Sequence, residues 1–410
     1  MNQFFARNMK HLKWILSAVL VLTTLVPVWG NNKKSDKEAK KIAAYAIGFY
    51  NLENLFDTIH AEGKNDFDFL PEGSYKWNSV KYNAKLKNMS RVLAEMGTDK
   101  VKAGAAVIGI SEIENRQVVL DLLKQEPLRD RGYRVLHVDS PDRRGVDCGM
   151  LYNPRFFTLE DSLYVLYIYP NDSTGERPLG FVQDPKTNDI KPLPLYGDTT
   201  HITRGFLVGI GTLAGEKMAV IVNHWPSRGA QSIARERAGY QVFALKEALF
   251  KKYPGIKIII EGDLNDDPNN KSVVDELKAV SEVSDVKDAH SLYNPWYNML
   301  YKVGQGTLLY KGKWNLFDQI ILSGNLIVGN GTPDATTSAS VPASGKKAKK
   351  GEVKGYPELT YRSHEIFLRD YLIQQDGRYK GSPLRTTAGG TWLNGFSDHL
   401  PTIVYLVKEK

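Results

Sequence analysis

The chain has a single cysteine, Cys148, among 410 residues. One cysteine can neither close an intramolecular disulfide nor build a thiolate zinc site, so any metal must be held by oxygen and nitrogen ligands. Long apolar runs are also missing. The longest, Trp14–Val28, has fifteen residues and is broken by Ser17, Thr23, Thr24 and Pro27. A membrane span needs roughly twenty. With 42% hydrophobic and 24% charged residues, the chain is not disordered, collagenous or multi-spanning. Internal repeats are absent as well.

A charge excess of one sign is missing from the body. The formal net charge is +8. Three segments account for it: Met1–Lys13, Asn31–Lys41 and Lys346–Lys350. With their twelve cations and two acids set aside, 42 basic and 44 acidic residues remain. The overall charge is therefore no argument for a nucleic-acid-binding surface.

The first thirteen residues carry Arg7, Lys10 and Lys13 and no acid, and the apolar run ends in Val28-Trp29-Gly30. This predicts a signal peptide over residues 1–30, with a lysine-rich linker over 31–41 and a protein exported to the periplasm or the cell exterior. The alternative is an uncleaved anchor. No cysteine follows the run, so a lipid anchor is excluded. A lone cysteine suits an oxidising compartment.

From Ile42 onward, strand-like runs alternate with amphipathic stretches. Strands are expected at Ile42–Tyr50, Ala105–Ile110, Val146–Tyr152, Tyr164–Tyr169, Phe206–Leu213, Met218–Asn223, Ile256–Ile260, Phe317–Leu322 and Ile403–Val407. Tyr82, Leu86, Met89, Leu93 and Met96 make a helical stripe over Asn78–Met96. Further helices are expected from Gln117 and over Ala230–Lys252. Two insertions lack this patterning. Residues 171–200 read as a hairpin or loop, and 329–355 as disordered. Mixed elements favour one layered α/β domain over 42–410.

Chemistry-bearing residues collect at strand ends: Asn51-Leu52-Glu53-Asn54, Ser111-Glu112-Ile113-Glu114, Asn223-His224-Trp225, Glu261-Gly262-Asp263-Leu264-Asn265, Asp318, and Ser397-Asp398-His399. If these ends share one edge, they form a hard-cation site with two histidines. Each motif also has a bland reading. Asn51–Asn54 could be a turn. Ser111-x-x-Glu114 fits a helix capping box, which leaves Glu112 for chemistry. Asp263 and Asn265, two apart, would point the same way on an extended backbone. Asp266, Asp267 and Pro268 read as turn residues. A lone histidine is more often structural. Arg143, Arg144 and Arg204 read as solvated loop arginines in preference to phosphate contacts. Repetition across six strand ends favours metal-assisted phosphate chemistry.

This order of residues resembles the endonuclease/exonuclease/phosphatase superfamily across Ile42–Val407, with Gly-Asp-Leu-Asn and Ser-Asp-His as its more specific motifs. The resemblance implies a four-layer α/β sandwich of two packed mixed sheets flanked by helices. It implies that Glu112 ligates Mg²⁺ or Mn²⁺, with Asn51 beside it and Asp398 assisting. Asp263 would orient or deprotonate the attacking water, and Asn265 would hold that water or a phosphate oxygen. His399, oriented by Asp318, would stabilise the phosphoryl oxygens, and His224 would lie near the leaving group. The expected protein is a monomeric, exported, metal-dependent phosphodiesterase acting on nucleic acid, with no stable membrane insertion. The alternatives are a phospholipid or sugar-phosphate hydrolase on the same scaffold, or a non-catalytic binding protein that keeps the fold.

Overall fold

The computed structural model of the chain describes residues 41–167, 181–183, 186–187, 189–192, 204–327 and 356–410. The expected signal peptide, nearly all of the linker, the 329–355 insertion and most of 171–200 lie outside them. The described residues belong to one compact unit, Lys40–Lys410. None of their helices is long and apolar enough to cross a membrane.

Along the chain, β1 (Ile42–Leu55), β2 (Val107–Ile113), β3 (Arg134–His137) and β4 (Asp147–Tyr152) precede β5 (Phe157–Tyr167). The hairpin of β6 (Phe181–Gln183) and β7 (Ile190–Pro192) leads to β8 (Arg204–Leu213), β9 (Glu216–His224) and β10 (Lys257–Asp263). After them come β11 (Ala279–Val280), β12 (Leu292–Tyr293), the hairpin of β13 (Leu308–Tyr310) and β14 (Lys313–Asn315), and β15 (Asp318–Ser323). The last strands are β16 (Thr360–Ile366), the hairpin of β17 (Thr387–Ala388) and β18 (Thr391–Trp392), and β19 (Thr402–Glu409). One sheet has the order β16-β19-β1-β2-β4-β3 and the other β11-β12-β15-β10-β9-β8-β5. Both are mixed: β1 and β2 are parallel, as are β9 and β10, while β19 and β15 run against them.

Three apolar layers stack these elements into a four-layer sandwich. Helix α1 (Ser79–Glu95) and helix α2 (Arg116–Leu123) cover the first sheet, burying Leu86, Met89, Leu93, Val118 and Leu122 against Ala46, Tyr50, Ile108 and Ile110. Ile47, Val107, Val220, Ile259 and Leu322 pack between the sheets. A long helix, Ser232–Lys252, covers the second sheet with Ala238, Val242, Leu245 and Leu249. Sheets covered on both faces need near-continuous apolar strands, as Lys257–Asp263, buried throughout, illustrates. Each fully buried aliphatic side chain contributes roughly 1.5–3 kcal/mol.

Two local readings are corrected. Strand β5 begins at Phe157, seven residues before the expected start, because a register shift between Leu159 and Asp161 breaks its alternation. Ser111 is no capping residue: β2 continues through it to Ile113, and Asn115 caps α2, its Oδ1 accepting from Val118 N at 3.0 Å. Glu114 accepts instead from Asp57 N at 2.7 Å.

Candidate active site

Strand direction brings the polar residues to one edge. Parallel β1 and β2 end together, with Asn51 opposite Ser111, and parallel β9 and β10 end with His224 opposite Asp263. Antiparallel β15 starts there, with Asp318 opposite Asp263. Antiparallel β19 is entered from the same edge through Ser397–Leu400. The alternation that places Ile259 between the sheets places Asp263, four residues on, in the same layer at its rim.

Glu112 reaches the site by a different device. Strand parity would turn it with Ile108 and Ile110 toward the helices. A bulge between Ser111 and Ile113, in pairing with both neighbours, puts Glu112 at φ +58° instead. Such a bulge re-aims a side chain. Glu53, Asn54 and Asn265 also have left-handed backbones, at φ +47°, +55° and +50°. Each costs on the order of 1–3 kcal/mol and must be held by its surroundings. The Glu112 carboxylate does part of this, accepting from Asn54 N at 3.0 Å. In the same Gly-Asp-Leu-Asn turn, a Cβ on Gly262 would lie 2.3 Å from Asn223 O, so only glycine fits.

The side chains converge on Asp263. Asn51 Nδ2 donates to its Oδ2 at 3.1 Å, and Asn265 N to its Oδ1 at 2.9 Å. His224 Nε2 stands 3.7 Å from Asp263 Oδ2 and 3.6 Å from Glu112 Oε1. His399 Nε2 lies 3.9 Å from Asp263 Oδ2, while its Nδ1 bonds Asp318 Oδ2 at 2.7 Å. Ser397 Oγ donates to Asn51 O at 2.7 Å and so ties the two strand ends together.

The two histidines are shifted in opposite directions. Burial lowers the pKa of His224 well below its usual value, and Arg204, Arg144 and His399 add to this. Burial alone would lower that of His399 too, but Asp318, Asp263 and Asp398 raise it well above the ordinary value. Asp263 is pushed up to about 7 by burial, with His399 opposing and Asp318 and Glu112 reinforcing.

Three expected residues behave differently from their sequence reading. Asn265 is not on an extended backbone, and its Nδ2 donates to Trp225 O at 3.0 Å. Asp398 stands apart from the central cluster, paired with Arg385 at 3.2 Å. Arg204 is neither solvated nor free for phosphate: it is buried and donates to His224 O at 3.0 Å and Trp225 O at 2.7 Å. Arg228 closes the strand-end motif Asn223-His224-Trp225-Pro226-Ser227-Arg228, and nothing in that motif assigned it a role. It braces the active loop from Asn265 O, Asn315 and Asp267, over the Phe317 ring. Asp266 and Asp267 take part in that brace, Asp266 by pairing with Arg235 at 2.8 Å.

Two groups bring possible ligand atoms within 4.8 Å of one another: Glu112, His224 and Asp263, and Asp263, Asp318 and His399. In the second, His399 is bonded to Asp318 and shifted toward its protonated form, so the carboxylates of that group alone would face a cation. The fit to a divalent cation is good. Oxygen donors dominate, and Asp318 Oδ1 is buried without a hydrogen-bond partner among the described residues. A third group, His137, Asp139 and Asp147, braces its own loop, since Asp147 bonds both His137 Nε2 and Ser140 N.

Several solved structures are similar to this chain. An endonuclease/exonuclease/phosphatase family protein from Bacteroides thetaiotaomicron is 14% identical, with a TM-score of 0.49 over 90% of this chain and 97% of that one. A mannosyl-6-phosphatase from the same species is 13% identical, with a TM-score of 0.49 over 88% and 99%. TDP2 from D. rerio, complexed with a single-strand DNA product, is 14% identical, with a TM-score of 0.46 over 89% and 99%. No curated protein matches the chain. The profile of the Endonuclease/Exonuclease/phosphatase family matches residues 46–183, 187–365 and 361–408, nearly the whole folded body. The chain therefore belongs to the endonuclease/exonuclease/phosphatase family, a family of phosphoester hydrolases.

Proposed function

We propose that this protein is an exported, divalent-metal-dependent phosphodiesterase whose substrate is nucleic acid, cleaved internally. The observation that supports it best is the meeting of Glu112, from one sheet, with Asp263, Asp318 and two histidines shifted in opposite directions, at the shared edge of the two sheets. Phosphodiester hydrolysis builds negative charge on the equatorial and leaving oxygens, so a site for it needs positive charge and fixed donors facing them.

Glu112, with Asn51 beside it and Asp398 assisting from the rim, would hold Mg²⁺ or Mn²⁺; when bound, the ion supplies Lewis-acid stabilisation of that charge. The chain's own groups do the rest. Asp263, held near neutrality by burial, accepts the proton of the attacking water. Asn265 orients that water with its remaining amide oxygen. Asp318 holds the His399 ring protonated, so that Nε2 donates to a phosphoryl oxygen. His224 stays neutral and presents Nε2 beside the leaving group.

The near-neutral body favours a second reading, a phospholipid or sugar-phosphate hydrolase, because nonspecific DNA binding relies on Lys and Arg contacts to phosphates. Activity on plasmid DNA, bis-p-nitrophenyl phosphate and sphingomyelin, each with Mg²⁺ and with EDTA, separates the two. Glu112→Gln is expected to fold normally and to need roughly tenfold more Mg²⁺ for half-maximal activity. Full activity of that variant at low Mg²⁺ would remove Glu112 from the metal site.

A further inference from the structure

Three arginines around the site are spent on the protein itself. Arg204 holds backbone carbonyls and Asp142, Arg228 makes four hydrogen bonds, and Arg235 pairs with Asp266. Arg385 is different. Its Nε and Nη2 each lie 3.0 Å from Glu53 Oε1, and Nη2 lies 3.2 Å from Asp398 Oδ2. Its Nη1 has no partner among the described residues, and the side chain is 43% exposed. Asp398 directly precedes His399 and its charge acts on that ring, so Arg385 is tied to the residue next to the catalytic histidine.

The surroundings hold Arg385 in that pose. Glu53 is 4% exposed, and its second oxygen accepts from Thr386 N at 2.7 Å. Thr386 Oγ1 meets the buried Lys85 Nζ at 2.5 Å and bonds Phe396 O at 2.7 Å. Glu53 and Asp398 engage only the Nε and Nη2 side of Arg385, and the buried Lys85 adds positive charge beside Glu53. A guanidinium fixed along one edge by carboxylates offers its remaining N–H groups in a set direction, which suits a phosphate oxygen and loses little entropy on binding.

We propose that Arg385 binds a non-bridging oxygen of the substrate phosphate, and that Glu53 is the positioning residue that aims it. This rests on the phosphoester-hydrolase reading of the site. Glu53 thereby gains a reason for its left-handed backbone: the strained turn after Asn51 delivers a buried carboxylate to a residue 332 positions away.

The test is calorimetric titration of inorganic phosphate into the folded protein in Mg²⁺ buffer, with KM and kcat measured on p-nitrophenyl phosphate and bis-p-nitrophenyl phosphate. Arg385→Gln is expected to weaken phosphate binding by on the order of tenfold or more, the scale of a lost charge-assisted hydrogen bond, and to raise KM more than it lowers kcat. Arg385→Lys should recover part of the affinity, and Glu53→Gln should lose affinity with Arg385 still present. Arg91→Gln, a helix-surface arginine paired with Glu95, controls for simple loss of charge. A larger KM penalty on the monoester places Arg385 at the oxygen only the monoester ionises; an equal penalty places it at an oxygen common to both, and either supports the assignment. Unchanged phosphate affinity in Arg385→Gln, or no phosphate binding by the wild type, overturns it. Should Arg385→Gln not fold, Arg385→Lys decides by the same comparison of affinities at equal thermal midpoint. Phosphate binding that depends on Arg385 without hydrolysis of either ester would sink the hydrolase reading and leave this anion site standing.

Discussion

Ile47, Val107, Val220, Ile259 and Leu322 fill the layer between the sheets with aliphatic side chains. Four residues along each of the same strands, the layer is filled by Asn51, Ser111, His224, Asp263 and Asp318. The aliphatic end follows from burial alone. At the polar end Glu53, Asn54, Glu112 and Asn265 depart from ordinary backbone, and three carboxylates crowd together. Between them Glu261 marks the transition. Burial pushes its carboxyl well up, and it packs against Gly109, where a Cβ would come within 2.3 Å of Oε1. One end of the layer supplies the stability that lets the other hold strained, like-charged groups in place.

The largest expected effect lies at the polar end. His399→Ala and Asp318→Ala should each lower kcat/KM by ~10²–10⁴, the usual scale for a positioned donor or acid, with little change in urea midpoint. Because one residue orients the other, the double variant should be little worse than the worse single one. Fully additive losses would mean that Asp318 has a separate task.

At the aliphatic end, Ile259→Ala should cost about 2–5 kcal/mol of stability through lost burial and a residual cavity. Activity per folded molecule should stay near wild type, as measured below the thermal transition. A fall as deep as that of His399→Ala would show that the two ends are not independent.

His364 sharpens the contrast, because it is a titratable group packed against Trp296 and Tyr361 away from the site. Burial, with Lys100 adding to it, lowers its pKa from 6.5 to about 4. Its contribution is fully present above pH 6.5 and is lost as pH falls toward 4, because the unfolded chain takes up a proton that the folded imidazole refuses. That is on the order of 3 kcal/mol. Urea midpoints of wild type and His364→Gln across this range should show a shallower decline in the variant; identical slopes would mean that His364 titrates freely in the fold.

Much of the fold was legible because it is periodic. The α1 stripe and the apolar runs of β1, β2, β9, β10 and β19 were found close to their observed positions. The misses were places where periodicity fails: β5 is bulged, and β16, with a register shift between Tyr361 and Ser363, is too polar to stand out. At the site, residue types were readable and partners were not. Ser111 and Glu114 matched a cap in spacing, yet the strand runs through Ser111 to Ile113 and Glu114 accepts from Asp57 N instead. Asp263 and Asn265 matched an extended pair, yet Asn265 turns left-handed. No sequence signal distinguished Arg385, on the substrate side, from Arg204, buried under His224.

The sequence by itself determined the layered α/β class, the oxygen-and-nitrogen character of any metal site, and the family, because composition, hydrophobic period and motif order are local properties of the chain. Tertiary structure decided which groups meet. Asp318 and His399 lie 81 residues apart, and Glu53 and Arg385 lie 332 apart. Only sheet pairing and direction bring them within bonding distance, and only the bulge in β2 turns Glu112 toward Asp263. Charge state belongs to the tertiary level too. His224 and His399 are the same residue type with the same intrinsic pKa, and burial together with the neighbouring charges shifts one down and the other up.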